Sequence, residues 1–183
     1  IQIGDLRCGI HNPLDITSSN KLLLRGKTPT QLHNNCAGKH LGMISGCLAY
    51  NMSYDNYVDF DHPYQKLFRN SLEYFTESSI KKKGIGVDGC NAPQYAFSID
   101  NLTNAIINLI KKKNTRNYYS KAICILLNAI TKYPLLIGGK KRFDSEVIKN
   151  TQGRIYCKGG AEGILLFVDI SKKIGGIVKI EDG

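Results

Sequence analysis

The spacing of apolar residues changes from helical to strand-like near residue 150, and this change restricts the possible folds more than any other feature. Before it, apolar residues recur at intervals of three and four, which is typical of helices with one buried face. These segments span 36–50, 63–77, 102–112, 117–133 and, more briefly, 145–149. After it come short β-branched segments separated by glycine-containing turns, which indicate strands. They span 154–158, 163–169 and 176–180. Helices followed by strands predict an α+β fold, with helices packed on an antiparallel sheet.

A chain of 183 residues with 42% hydrophobic and 22% charged residues fits a single domain over 1–183. Its longest apolar runs are far too short to cross a bilayer, and no secretory signal opens the sequence. Six scattered cysteines without a C-x-x-C pair favour free thiols and a cytoplasmic location. Cys47 and Cys124 fall in apolar helical patterns and are expected in the core. The sequence starts without Met and stops on a predicted strand, so we expect a domain truncated at both ends.

The net charge of +10 raises the question of nucleic-acid binding, but the positions of the lysines argue against it. The tight clusters at 81–83 and 111–113 fall in a polar loop and at a helix end. Solvation, or a helix C-terminus that attracts cations, accounts for lysines in such places. No basic stripe with interleaved aromatic residues accompanies them. We therefore expect neither nucleic acid nor membrane among the partners.

The sequence HNNCAGKH, which ends at His40, carries the densest set of reactive side chains, at a predicted helix start. Asn34 or Asn35 is the expected N-cap, because its side-chain oxygen can accept a free backbone N–H. A helix from Cys36 places Cys36, Lys39 and His40 on one face. The helix dipole and Lys39 favour the thiolate form of Cys36, which is a nucleophile or a metal ligand. The alternative is a capped helix in which Cys36 is only a small buried hydrophobe.

A second group of reactive side chains lies at 84–93, where three glycines surround Asp88 and Cys90. Glycines allow a tight loop whose backbone passes close to a ligand. In such a loop Asp88 can receive an ammonium group, and Cys90 can meet Cys36. The alternative is a connecting loop that carries an incidental acidic residue.

A third motif, KGGAEG, begins at Lys158 on the edge of the first predicted strand. A lysine followed by two glycines leaves room for a substrate along the strand, as in the Lys-Thr-Gly box of serine penicillin-binding enzymes. The alternative is a turn with a surface lysine. Those enzymes also need Ser-x-x-Lys, which occurs twice, beginning at Ser18 and at Ser78. About one match is expected by chance and neither begins a convincing apolar helix, so we reject both as nucleophiles.

Together these motifs resemble the rhizobial-type L-asparaginase family, also called the asparaginase II protein family, in order and spacing. The matching segments are LRCGIHNP at 6–13, HNNCAGKHLGM at 33–43, HPYQ at 62–65, GVDGC at 86–90, GGKKRFD at 138–144, KGGAEG at 158–163 and KIEDG at 179–183. The resemblance implies a fold like that of serine β-lactamases and glutaminases. It also implies hydrolysis of L-asparagine to L-aspartate and ammonia by a homodimer.

Carried over residue by residue, the resemblance implies a zinc ion held by Cys36, Lys39 and Cys90, with a water molecule completing the tetrahedron. Lysine must lose its proton to serve as a ligand, and the cation and a low dielectric would both lower its pKa. Asp88 would hold the α-ammonium group of the substrate. Lys158 would be a catalytic amine that assists proton transfer or stabilises charge on the attacked amide. The other substrate-binding residues implied are His40 and Asn34.

The sequence also departs from the family pattern. Ala37 stands where a serine is usual, and Asn91 stands where a glycine is usual, although neither removes an implied ligand. The family's Ser-x-x-Lys nucleophile lies upstream of the region that matches Leu6, so we expect this chain to be inactive alone. One alternative is a non-catalytic module that retains zinc and amide binding, which asparagine turnover would exclude. Another is a penicillin-recognising serine acyl-transfer enzyme, which covalent labelling by a β-lactam would reveal.

Overall fold

The computed structural model describes residues 1–183 and contains seven α-helices and five strands. The helices are α1 (Ile16–Leu24), α2 (Ala37–Ala49), α3 (Pro63–Thr76), α4 (Ile99–Lys112), α5 (Ser120–Lys132), α6 (Leu135–Gly138) and α7 (Phe143–Asn150). The strands are β1 (Ile85–Val87), β2 (Pro93–Tyr95), β3 (Ile155–Gly160), β4 (Ile164–Asp169) and β5 (Ile174–Lys179). None of the helices combines the length and the apolar character needed to span a membrane.

The chain forms two compact units, and the predicted α+β class is confirmed. The first unit comprises Ile1–Ser71 and Ile80–Ala96, and the second comprises Leu72–Ser79 and Phe97–Gly183. Each unit combines helices with a small antiparallel sheet. The assignment of 1–183 to a single domain stays a prediction.

The core of the first unit is unusually rich in sulfur and polar groups. Its fully buried side chains include Ile44 and Cys47 of α2, together with Tyr57 from the segment that precedes α3. The buried amide of Gln65 donates a hydrogen bond to the backbone oxygen of Tyr57 at 2.7 Å. At Gly46 the ring of Tyr64 approaches so closely that a Cβ would lie 2.2 Å from it. Helices α2 and α3 can therefore approach each other because residue 46 has no side chain.

The segment predicted as a loop at 84–93 is a hairpin in the structure. Strands β1 and β2 pair in antiparallel register, with Gly86 opposite Gln94. The turn between them is closed by the backbone N–H of Asp88, which donates to the oxygen of Ala92 at 2.8 Å. Asn91 in this turn has a φ of +68°. Asn tolerates this left-handed conformation better than most residues, so it can replace a glycine in the turn.

The second unit is built on a three-stranded antiparallel sheet in the order β3-β4-β5. Cys157 pairs with Phe167, and Leu166 pairs with Ile177. Helix α4 packs on β4 and β5, and helix α7 packs on β3. The buried aliphatic side chains are Ile123, Leu127, Ile148 and Val168. This arrangement agrees with the predicted helices on an antiparallel sheet.

Several boundaries differ from the sequence prediction for identifiable reasons. Helix α4 starts three residues earlier than predicted, at Ile99, because the side chain of Ser98 accepts a free backbone N–H of the first turn. Strand β3 continues to Gly160 because the glycines remain paired with β4. Cys124, predicted in the core, is only half-buried, whereas Cys47 is fully buried as expected. Helix α1 was not predicted, because it has no buried face and therefore no apolar stripe.

Candidate functional site

Two segments of the first unit bring four potential ligands together. Cys36 immediately precedes α2, and Lys39 lies in its first turn. Asp88 and Cys90 lie in the turn between β1 and β2. The two sulfur atoms and a carboxylate oxygen of Asp88 all lie within 4.8 Å of one another. The Lys39 Nζ lies 2.9 Å from Asp88 Oδ2. We call these residues the four-donor cluster.

Asn34 fixes the backbone that carries Cys36. Its Oδ1 accepts the N–H of Cys36 at 2.8 Å, and its Nδ2 donates to the oxygen of Gly9 at 2.8 Å. The predicted helix cap needs correction, because Cys36 itself occupies the N-cap position and no side chain caps the helix. Asn34 instead closes the turn just before α2. Asn35, the other predicted cap, lies near His11, with its Oδ1 3.4 Å from His11 Nε2.

The prediction that its surroundings favour the thiolate form of Cys36 is wrong. Burial raises the pKa of Cys36, and this effect outweighs the lowering by the positive charge of Lys39. Burial also raises the pKa of Cys8, whose Sγ donates to the backbone oxygen of Gln31 at 3.6 Å. Cys90 Sγ lies 3.2 Å from Asp88 Oδ2 and donates to it. Burial therefore favours the protonated thiol at Cys36 and Cys8.

Lys39 and Asp88 form an ion pair within the four-donor cluster. The hydrogen bond from Lys39 holds the pKa of Asp88 below its usual value, although burial opposes this. Burial lowers the pKa of Lys39, but the contacts with Asp88, Cys90 and Cys36 raise it more, so that it lies above its ordinary value. Burial thus lowers the pKa of Lys39, as expected from the sequence, but the contacts within the four-donor cluster reverse the net direction. Lys39 must lose its proton before its Nζ can coordinate a metal ion.

A buried chain of hydrogen bonds fixes His40. The backbone N–H of Arg7 donates to Tyr57 Oη at 2.8 Å, and Tyr57 Oη lies 2.6 Å from His40 Nδ1. Because Tyr57 accepts from Arg7, its hydroxyl proton is assigned to Nδ1, and the imidazole proton is assigned to Nε2. Burial lowers the pKa of His40, and the charge of Lys39 lowers it further. A contact with the backbone of Cys90 opposes this lowering but does not reverse it, so His40 is a neutral, fully buried residue.

Lys158 lies in the second unit, where β3 places its side chain at the surface. Its Nζ lies 3.6 Å from Asp144 Oδ2, and its side chain is 60% exposed while that of Asp144 is 7% exposed. Asp144 also accepts the backbone N–H of Gly159 at 3.2 Å. The roles of Tyr57 and Asp144 were missed from sequence. The only signal for Asp144 was its position in the GGKKRFD segment, and nothing singled out Tyr57.

A family model described as L-asparaginase II matches residues 1–183. The chain belongs to the L-asparaginase II family. No curated protein matches the chain. Membership in the L-asparaginase II family confirms the resemblance inferred from the sequence motifs and supports an asparaginase-type amidohydrolase in general.

The four-donor cluster of this L-asparaginase II family member fits a zinc ion by its chemistry. Zinc prefers thiolate sulfur, and a pair of cysteines with a nitrogen or oxygen donor is a common ligand set. The sulfur atoms of Cys36 and Cys90 converge from separate segments, which a purely structural pair of buried cysteines does not require. Lys39 supplies a nitrogen donor and Asp88 supplies an oxygen donor at the same place. The residues present can therefore hold the metal.

Proposed function

We propose that this chain carries the metal- and substrate-binding part of an amidohydrolase that converts L-asparagine and water to L-aspartate and ammonia. The observation that supports this most strongly is the four-donor cluster, found in a chain of the L-asparaginase II family. The cluster combines groups that bind a soft divalent cation with a carboxylate suited to an ammonium group. An amino-acid amide substrate presents such an ammonium group next to its reacting side chain.

In the proposed site Cys36, Cys90 and Lys39 hold a zinc ion. When bound, zinc supplies a fixed positive charge that keeps its ligands deprotonated and polarises nearby groups. Asn34 holds the backbone of Cys36 in place by its two hydrogen bonds. His40, fixed by Tyr57 and fully buried, would support the substrate pocket from behind rather than line it.

Asp88 is proposed to bind the α-ammonium group of L-asparagine. Its Oδ1 already accepts the N–H of Gly89 at 2.7 Å, so the carboxylate is held in a defined orientation. Its Oδ2 contacts an ammonium group in the metal-free protein, that of Lys39. A substrate ammonium group can occupy a similar position when Lys39 is engaged elsewhere.

Lys158 is proposed as the catalytic amine, which moves a proton or stabilises negative charge that develops on the attacked amide. We assign no nucleophile among residues 1–183. The hydroxyl of Ser18, in one of the two Ser-x-x-Lys matches, donates to Asp15 Oδ2 at 2.7 Å. This hydrogen bond to an acid does not activate the Ser18 hydroxyl in the way that a contact with the amine of Lys21 would. The finer expectations from the family belong to the same proposal, namely a serine β-lactamase- and glutaminase-like fold, a homodimer and a cytoplasmic location.

Zinc content tests the metal site. We expect about one zinc ion per chain in the purified protein and a loss of most of it in Cys36→Ser and Cys90→Ser. Cys124→Ser is the matched control, because Cys124 is half-buried in the second unit. Asp88→Asn distinguishes substrate binding by the Asp88 carboxylate from coordination of the metal. Retained zinc with lost asparagine binding supports substrate binding, whereas lost zinc makes Asp88 a ligand.

An ammonia-release assay with L-asparagine, with and without added zinc, tests the reaction. It is run on the 183-residue chain and on the chain supplied with a polypeptide that carries the family's Ser-x-x-Lys. We expect release in the supplemented sample, and a loss of release in Lys158→Ala. If the chain binds zinc but neither sample binds or hydrolyses asparagine, the chain is a non-catalytic zinc-binding module and not part of an amidohydrolase.

A further inference from the structure

Asp144 is a buried acid of the second unit whose carboxylate faces the start of the KGGAEG segment. The residue is 6% exposed, and its Oδ2 accepts the backbone N–H of Gly159 at 3.2 Å. The same oxygen lies 3.6 Å from Nζ of Lys158. One carboxylate oxygen therefore contacts both the backbone of β3 and the amine of the proposed catalytic lysine.

The surrounding structure holds this carboxylate in a single place. Its Oδ1 accepts the N–H of Ser145 at 3.0 Å, and the Ser145 hydroxyl accepts the N–H of Gly138 at 3.0 Å. A Cβ on Gly138 would lie 1.9 Å from Asp144 Oδ1, so only glycine leaves room for the acid. The Sγ of Cys157 donates to the backbone oxygen of Asp144 at 3.7 Å. Helices α6 and α7 and strand β3 thus meet around one carboxylate.

Backbone hydrogen bonds engage both oxygens of the Asp144 carboxylate but do not balance its charge. A buried carboxylate is costly unless a positive charge or several hydrogen bonds compensate it. The N–H groups of Ser145 and Gly159 donate to different oxygens, and the neutral amide of Asn could accept only one of them. The amine of Lys158 is the partner that makes use of the negative charge. This amine also donates to the backbone oxygen of Gly159 at 2.5 Å, so the anion and one backbone group together restrict an otherwise flexible side chain.

We propose that Asp144 is a positioning residue that fixes the side-chain amine of Lys158 at the edge of β3. The catalytic meaning of this proposal rests on the proposed function, in which Lys158 is the reacting amine. A reacting group held in the correct orientation contributes several orders of magnitude to a rate, and small displacements reduce that contribution. Asp144 acts through Lys158 and does not itself touch the substrate.

The first test is an NMR relaxation measurement on the whole chain labelled with ¹³C-lysine, in which Lys158→Arg identifies the Lys158 signal. Asp144→Asn keeps the size of the side chain and one acceptor oxygen but removes its charge. We expect this variant to lower the order parameter of the Lys158 ε-methylene group to that of the other exposed lysines. An unchanged order parameter would overturn the proposal.

Two control variants separate the effect of charge from a general disturbance of the second unit. Ser145→Ala removes a fully buried hydroxyl from the same turn without changing any charge near Lys158. Asp169→Asn removes an acid of the same sheet that is paired with Arg154 at 2.8 Å. Both variants should leave the order parameter of the Lys158 ε-methylene group where it is in the natural sequence. A decrease in either control equal to that in Asp144→Asn would also overturn the proposal.

A reciprocal variant keeps the proposal testable if Asp144→Asn does not fold. Lys158→Gln changes an exposed side chain and leaves every backbone contact of Asp144 in place. The ¹³C chemical shift of the Asp144 carboxyl at neutral pH should then change, because the carboxylate has lost its cationic partner. An unchanged chemical shift would overturn the proposal.

Kinetics in a preparation that releases ammonia test the catalytic part. Asp144→Asn should lower kcat about tenfold or more with little change in KM or zinc content, and Asp144→Glu should recover part of the rate. If no preparation turns over asparagine, the proposed function fails, but the NMR result still decides whether Asp144 fixes Lys158. If turnover occurs and Asp144→Asn is fully active, the positioning role fails and the proposed function stands.

Discussion

The apolar cores of the two units are built from different kinds of side chain. The core of the first unit includes thiols, an imidazole and a phenol, and this unit has only a short two-stranded hairpin. The second unit packs aliphatic side chains between helices and a regular three-stranded sheet, and it also buries polar groups such as Asp144 and Ser145. Polar groups in a core must find specific partners, whereas aliphatic groups need only be removed from water. The core around His40 and Tyr57 therefore depends on individual hydrogen bonds, and the core around Ile148 depends mainly on packing.

The largest expected effect on stability comes from the aliphatic core of the second unit. Ile148 in α7 is 1% exposed, and Ile148→Ala should lower the free energy of unfolding by about 3 kcal/mol, because it leaves a cavity. Chemical denaturation measures this loss. Zinc content should not change, because Ile148 belongs to the second unit and the four-donor cluster to the first.

A matched control is Ile125→Ala in α5, where the side chain is 60% exposed. This variant should change the free energy of unfolding by less than about 0.5 kcal/mol. Equal losses at the two positions would contradict the view that packing stabilises the second unit.

The next largest effect tests the hydrogen-bonded core of the first unit. Tyr57→Phe removes one hydroxyl that is the partner of two groups, the part-buried N–H of Arg7 and the buried Nδ1 of His40. The free energy of unfolding should fall by about 2 kcal/mol, although almost no volume is lost. Tyr133→Phe, at a side chain that is 49% exposed, is the control and should have little effect. Similar denaturation curves for the two variants would refute the proposed dependence on hydrogen bonds.

The caps of helices α1 and α4 should differ in their contribution to stability, with a smaller effect than the core substitutions. Ser98 Oγ accepts the N–H of Asn101 at 3.1 Å at the start of α4, so Ser98→Ala should cost about 1 kcal/mol in thermal or chemical denaturation. Asp15 caps α1 in the same way, with Oδ2 2.7 Å from the N–H of Ser18. Because α1 buries no residue, Asp15→Ala should fray that helix in hydrogen exchange with less effect on global unfolding. The reverse order would mean that α1 is part of a cooperative core.

The smallest expected effect is the pH dependence of the Lys39–Asp88 ion pair in metal-free protein. The pKa of Asp88 is lowered on folding, so its contribution to stability exists above its unfolded pKa and disappears as the pH falls through the folded value. The pKa of Lys39 is raised, so its contribution is complete below its unfolded pKa and disappears as the pH rises through the folded value. The pair therefore stabilises the fold between about pH 5 and pH 9.

Asp88→Asn should lower the free energy of unfolding by only about 0.5 kcal/mol in that range, because both side chains are partly exposed. At acid pH, below the folded pKa of Asp88, the variant and the natural sequence should be equally stable. Denaturation of chelator-treated protein at several pH values measures both quantities. A difference that grows as the pH falls would contradict the assignment of the charges.

The sequence predicted the regular parts of both units, because burial imposes a period on apolar residues. The class of fold, helix α2 and the three strands of the second unit follow from this period. Helix α1 and the hairpin β1–β2 were missed. Helix α1 has no buried face, and the hairpin strands have only three residues each, too few to show an alternation.

The candidate site was predictable only as separate motifs and a family resemblance. Spacing along the chain cannot show that Cys36 and Cys90 meet, because tertiary structure brings α2 and the hairpin turn together. The ionisation of Cys36 was mispredicted because the depth of burial is also a tertiary property. Tyr57 and Asp144 make long-range contacts, with His40 and Lys158 respectively, that leave no local pattern.

Gly138 limits how this protein can be stabilised by sequence optimisation. Replacing a glycine in a helix by alanine ordinarily increases stability by up to about 1 kcal/mol. Position 138 ends a four-residue helix and would appear suitable for that replacement. The added methyl group would occupy the space of the Asp144 carboxylate, so the alanine favoured by helix propensity would displace this buried acid. Thermostabilisation schemes for such chains should therefore leave this glycine untouched, however flexible the short helix looks.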